Sequence, residues 1–92
     1  MDGQSVISPD VVARYAADAA REVEGVAQVS RVPRRGMRAD GDHVGLMLVI
    51  GRGFVIPDVA AEVQRRVADY LERMTGRRPE GVDVHVSAVD AR

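Results

Sequence analysis

The sequence predicts an α+β domain, a two-layer sandwich in which two helices cover one face of a three-stranded mixed sheet. The predicted order is helix, strand, strand, helix, strand. Three observations lead there. Two stretches carry apolar residues at helical spacing behind a Pro-Asp start. Three shorter stretches are rich in Val, Leu and Ile and partly alternate in polarity. Gly, Pro and charged residues fill the joints between them. A chain of 92 residues has room for one domain. Residues 1–7 are expected as a short tail and residues 8–92 as that domain.

Ser8-Pro9-Asp10 opens the first helix: Ser caps, Pro fits the first turn, and Asp suits the positive end of the dipole. Val12, Ala16, Ala19, Ala20 and Val23 then fall on one face, and Gly25 is expected to end the helix. The many alanines make it slim enough to sit close against a sheet. Val26 to Val32 predicts a first strand of imperfect alternation. Residues 33–41 read as a loop from their Pro and Gly. His43 to Ile50 is the clearest strand, with Val44, Leu46, Leu48 and Ile50 on one face. Gly51-Arg52-Gly53 breaks it. Pro57-Asp58 opens the second helix, whose apolar line is Val59, Val63, Val67, Tyr70, Leu71 and Met74. Thr75-Gly76 closes it, and Val82 to Val89 is the last strand. The first two strands pair antiparallel through the loop, and the second helix carries the chain across to a parallel third strand. Val44, Leu46, Leu48, Val63, Val67, Val84 and Val86 are the expected core.

Bulk chemistry narrows the function. There is no cysteine, which excludes disulfides, thiolate metal sites and thiol nucleophiles. A net charge of -1 and 3% aromatic residues argue against a nucleic-acid binder that relies on a basic field or on base stacking. All thirteen basic residues are Arg. The start lacks the basic segment and apolar run of a signal peptide. The longest apolar run, Leu46 to Ile50, is far too short to cross a bilayer, so direct membrane insertion is not expected.

No motif supports catalysis. Gly51-Arg52-Gly53 lacks the third glycine of a dinucleotide fingerprint and the Gly-Lys-Ser/Thr of a P-loop, so it is expected to be a turn. The serines have no triad context. His43 and His85 would approach if their strands were neighbours, with Asp42 and Asp83 nearby, but no third ligand is identifiable. No catalytic, cofactor or metal site is therefore expected. Two surfaces stand out. Arg31, Arg34, Arg35 and Arg38 form the densest basic cluster and are candidates for binding an anionic surface or partner. The uncovered sheet face, with His43, Met47, Val49, His85 and Val89, is the candidate for self-association.

The segment Ile7-Ser8-Pro9-Asp10-Val11-Val12-Ala13, continued by Ala19-Ala20-Arg21-Glu22-Val23-Glu24-Gly25-Val26, resembles the opening of alkaline shock proteins. These are the Gls-type envelope stress response proteins of Gram-positive bacteria. Ile56-Pro57-Asp58-Val59-Ala60 and Val63-Gln64-Arg65-Arg66-Val67 resemble that family's second helix. Glu72-Arg73-Met74-Thr75-Gly76 is similar to its Glu-x-Met-Thr-Gly end, and Val82-Asp83-Val84-His85-Val86 to its Val-Asn-Val-His-Val strand. Asp83 stands where Asn is usual, and Ile50-Gly51 where Tyr-Gly is usual. The resemblance spans about Ile7 to Val89.

The resemblance implies a non-enzymatic scaffold of the cell-envelope stress response that forms homo-oligomers. It implies a cytoplasmic protein, peripheral at the inner face of the membrane through a membrane-anchored relative, with no cofactor. The alternative is a small nucleic-acid-binding module, since the element order partly resembles one form of the KH domain. The Gly-x-x-Gly loop between two helices that such a domain needs is missing.

Overall fold

The computed structural model describes residues 9–31 and 43–90. The chain forms α1 (Pro9–Arg21), β1 (Val26–Arg31), β2 (His43–Gly51), α2 (Ile56–Thr75) and β3 (Gly81–Asp90). β2 is central, with β1 antiparallel on one side and β3 parallel on the other. Both helices pack on one sheet face, so the observed architecture is the expected α+β sandwich. The expected tail at 1–7, Val32 and the Arg-rich loop lie outside the described residues.

The core follows from periodicity. Val44, Leu46, Leu48 and Ile50 alternate along β2 and are fully covered. Above them sit Ala16, Ala17, Ala20 and Val23 of α1 and its following turn, with Val59, Val63, Val67 and Leu71 of α2. Each buried Leu or Ile contributes about 1.5–3 kcal/mol of transfer free energy. The small side chains of α1 let it lie close to both the sheet and α2. Tyr15 and Tyr70 meet edge to face across the two helices, with ring centroids 6.1 Å apart. Gln64 donates from Nε2 to the Val82 carbonyl at 3.0 Å, tying α2 to β3.

Three expectations about burial and boundaries need correction. Val84 and Val86 are half-buried, not buried, because β3 is an edge strand with a neighbour on one side only. The buried stripe of α2 stops at Leu71; Tyr70 is half-buried and Met74 is exposed. α1 ends at Arg21, not at Gly25. Its last carbonyls are taken by tight turns, with Glu22 N–H donating to Ala19 and Val23 N–H to Ala20.

Each edge strand carries an irregularity. The β1 register slips at Ala27, between Val26 and Gln28, and the β3 register slips at Ser87, opposite Leu48 and Val49. The first slip lets Val26 and Val29, three apart, both face the core, pairing with Ile50 and Leu48. It is the reason for the imperfect alternation of that strand. The second reverses the facing of everything after Val86: Ala88 pairs with Val49, and Val89 pairs with Ile50. The Ser87 hydroxyl donates to the Leu48 carbonyl at 3.3 Å where the ladder is interrupted.

Candidate interaction surface

The face of the sheet opposite the helices is built by alternation. β2 contributes His43, Gly45, Met47 and Val49, all half-exposed. Register places Gln28 beside Val49 and Ser30 beside Met47 on β1. On β3 it places Asp83 beside Gly45, His85 beside Met47 and Ala88 beside Val49. Met47 and Val49 therefore form a small apolar centre within a polar rim, and no described side chain of that rim is an arginine.

Of the five residues expected on this face, His43, Met47, Val49 and His85 are there. Val89 is not: the slip at Ser87 turns it to the helix side, beside Ile50. The two histidines do not meet. His43 pairs with Gly81 and His85 with Met47, a separation of four register positions, or about 13 Å along the strands. His43 instead lies over Gly81, with Nε2 3.7 Å from a Glu80 carboxylate oxygen and Nδ1 3.9 Å from Asp83. Among the described residues no group of three His, Cys, Asp or Glu is placed to hold a metal ion. Arg34, Arg35 and Arg38 lie outside the described residues, and of Arg31 only the backbone, pairing with Leu46, is described.

A surface that sequence reasoning missed lies at the end of the domain where β2 and β3 finish and α2 begins. Phe54, Val55 and Ile56 are 43%, 59% and 38% exposed, and Val89, on the same side as Ile50, is 45% exposed. Phe54 is held against the backbone: a Cβ at Gly25 would come within 3.0 Å of its ring. Val55 is the N-cap of α2 and offers no side-chain hydrogen bond to the first turn. The signal was present as three consecutive apolar residues behind a glycine turn. Such a run is not periodic, so it looked like a connection.

The outer face of α2 is an ion-pair lattice. Arg66 and Arg65 hydrogen-bond Glu62 and hold its carboxyl below the usual range. Arg78 does the same to Asp69, at 2.8 Å, and reaches Glu72 at 3.0 Å. The guanidinium of Arg78 is in turn held above its ordinary value by those two carboxylates, Asp69 first. This folds the loop after α2 back onto the helix. A polar groove of about 310 Å³ runs between the helices, with Asp18 and Glu22 on one wall and Arg65, Arg66 and Arg73 on the other. These pairs are solvent-exposed and contribute little individually.

No family model matches the chain, and no curated protein matches it. It is similar to solved structures of the MamM C-terminal domain. A variant of that domain in its copper form is 22% identical, covers 90% of this chain and 100% of its own, and has a TM-score of 0.54. A second variant is 23% identical, covers 88% and 95%, and has a TM-score of 0.52. The likeness is one of fold. No helix among the described residues is long and apolar enough to cross a membrane.

Proposed function

We propose that this chain is a non-enzymatic interaction domain that works by associating with copies of itself. The observation that carries the proposal is the uncovered sheet face. Met47 and Val49 stand half-exposed at its centre, and Asp83 stands two residues from His85 on the same side of β3. A two-fold contact between two such faces buries the apolar centre against itself. It also sets the Asp83 of one copy against the histidines of the other, so the surface is its own complement. The slips at Ala27 and Ser87 interrupt both edge ladders, which disfavours edge-to-edge strand addition and leaves the face as the better contact.

The finer reading rests on the resemblance to alkaline shock proteins. In that reading the domain is a scaffold of the cell-envelope stress response, brought to the inner face of the membrane by a membrane-anchored relative. The shared fold of the MamM C-terminal domain is compatible with an interaction role. Its copper is not carried over, because His43 and His85 are four register positions apart.

Static light scattering across a dilution series tests the assembly. The mass should rise with concentration, and Val49→Glu should lower it by forcing an unpaired charge into the contact. Pull-down from native cells, with membrane and cytosolic fractions separated, tests the finer reading. Capture of a membrane-anchored partner supports it, and capture confined to the cytosol opposes it.

A further inference from the structure

We propose that the groove between α1 and α2 binds a free α-amino acid with an apolar side chain. The site lies on the helix side of the domain, opposite the uncovered sheet face, and does not depend on self-association.

Charge within the groove is sorted by wall. Asp18 and Glu22 line it from α1 and the turn after it, and Arg65, Arg66 and Arg73 line it from α2. With Asp69 beside the arginines, the formal charges of the lining cancel. A purely anionic ligand would meet the carboxylates, and a purely cationic one the guanidiniums. A small molecule with one charge of each sign suits both walls.

The walls do not satisfy each other. Asp18 pairs along its own helix with Arg21, at 2.8 Å. Arg65 and Arg66 pair along theirs with Glu62, and Asp69 takes Arg65 and Arg78. Among the described residues no ion pair crosses from α1 to α2, and Glu22 and Arg73 have neither an ion pair nor a side-chain hydrogen bond. Packed helices stand about 8–10 Å apart, so the opposed charges are neighbours that stop short of contact. An α-amino acid carries its ammonium and carboxylate on one carbon and bridges such a gap. Its carboxylate accepts from the guanidinium of Arg73, and its ammonium donates to Glu22 or Asp18.

The apolar part of the lining is Ala19 and the ring of Tyr70, both half-buried, and Tyr70 is fixed edge-on against Tyr15. They offer contact area with no further charge, which suits an apolar side chain. The volume, about 310 Å³, is at the small end of ligand sites, so it fits a molecule of amino-acid size better than a nucleotide or a larger cofactor.

Titration of the isotope-labelled full chain with leucine, followed through its backbone amide signals, tests the site. Saturable shifts are expected in residues 18–22 and 65–73. N-acetyl-leucine lacks the cation and leucine amide lacks the anion, and each should bind weaker by about tenfold. Leucyl-leucine, whose charges stand farther apart, should also bind more weakly. Glu22→Gln and Arg73→Gln, both at exposed positions, should weaken leucine by a similar factor while the rest of the spectrum is kept. Arg14→Gln, exposed on α1 outside the lining, should leave binding unchanged. The proposal is overturned by the lack of a saturable shift in those residues, or by blocked derivatives that bind as well as leucine. Tighter binding of leucyl-leucine overturns it in favour of a short peptide. Groove shifts that follow protein concentration without leucine overturn it too, and assign the groove to a second copy.

Discussion

Gly51 donates its backbone N–H to the carbonyl of Gly25 at 2.7 Å, joining the turn after α1 to the end of β2 beneath the ring of Phe54. The two glycines are not equivalent. Gly25 has φ +100°, and a Cβ there would stand 2.8 Å from Val59 Cγ2. At Gly51 the nearest atom would be 3.4 Å away, on a ring that is partly exposed. Gly25→Ala should therefore cost about 1–3 kcal/mol, from backbone strain and the contact together. Gly51→Ala should cost clearly less. Urea unfolding of the two variants checks the order.

The core makes a sharper contrast. Leu46 is fully buried on the central strand, whereas Val84 is half-buried on the edge. Leu46→Ala should lose about 2–5 kcal/mol, and Val84→Ala less than half as much. Equal losses in denaturant melts would mean that β3 is covered on its helix side.

Facing after Ser87 can be tested directly. If the slip turns Val89 toward the helix side, Val89→Glu should leave the sheet face intact, and Val49→Glu should not. In light scattering, the Val89 variant should keep the concentration dependence that the Val49 variant loses.

The acid limb of stability should report the lattice on α2. The carboxyls of Glu62 and Asp69 are held below their ordinary values of 4.5 and 3.8 by hydrogen bonds from arginines. Folding lowers both, so their contribution is present above the unfolded values and is lost as pH falls through the folded ones. Both groups are exposed, so the effect is small and salt-sensitive. The drop in Tm between neutral and acid pH should be smaller in Arg78→Ala than in the wild type, and high salt should narrow the difference.

Much of this was legible in the residues. The alternation of β2 gave its buried face because one side is fully covered by helices. The Pro starts and the Thr75-Gly76 stop located α2, where Gly76 takes φ +80° and donates to Glu72. What was not legible depended on pairing. The slip at Ser87 has no mark in the local sequence, since Val82 to Val89 alternates well on its own; only the register against β2 shows that Val89 changes side. The separation of His43 from His85 is likewise a matter of register. The exposed apolar run at the start of α2 was hidden because exposure at Phe54, Val55 and Ile56 depends on what fails to pack there.

Since the chain has no cysteine, single thiols placed on its surface report contacts between copies without background. Met47→Cys and Val49→Cys lie on the uncovered sheet face, while Ala61→Cys is exposed on α2 away from it. Under mild oxidation at micromolar concentration, the face variants should form disulfide-linked dimers on non-reducing gels well before the α2 variant. Face thiols that cross-link no faster than Cys at position 61 would contradict self-association through the sheet.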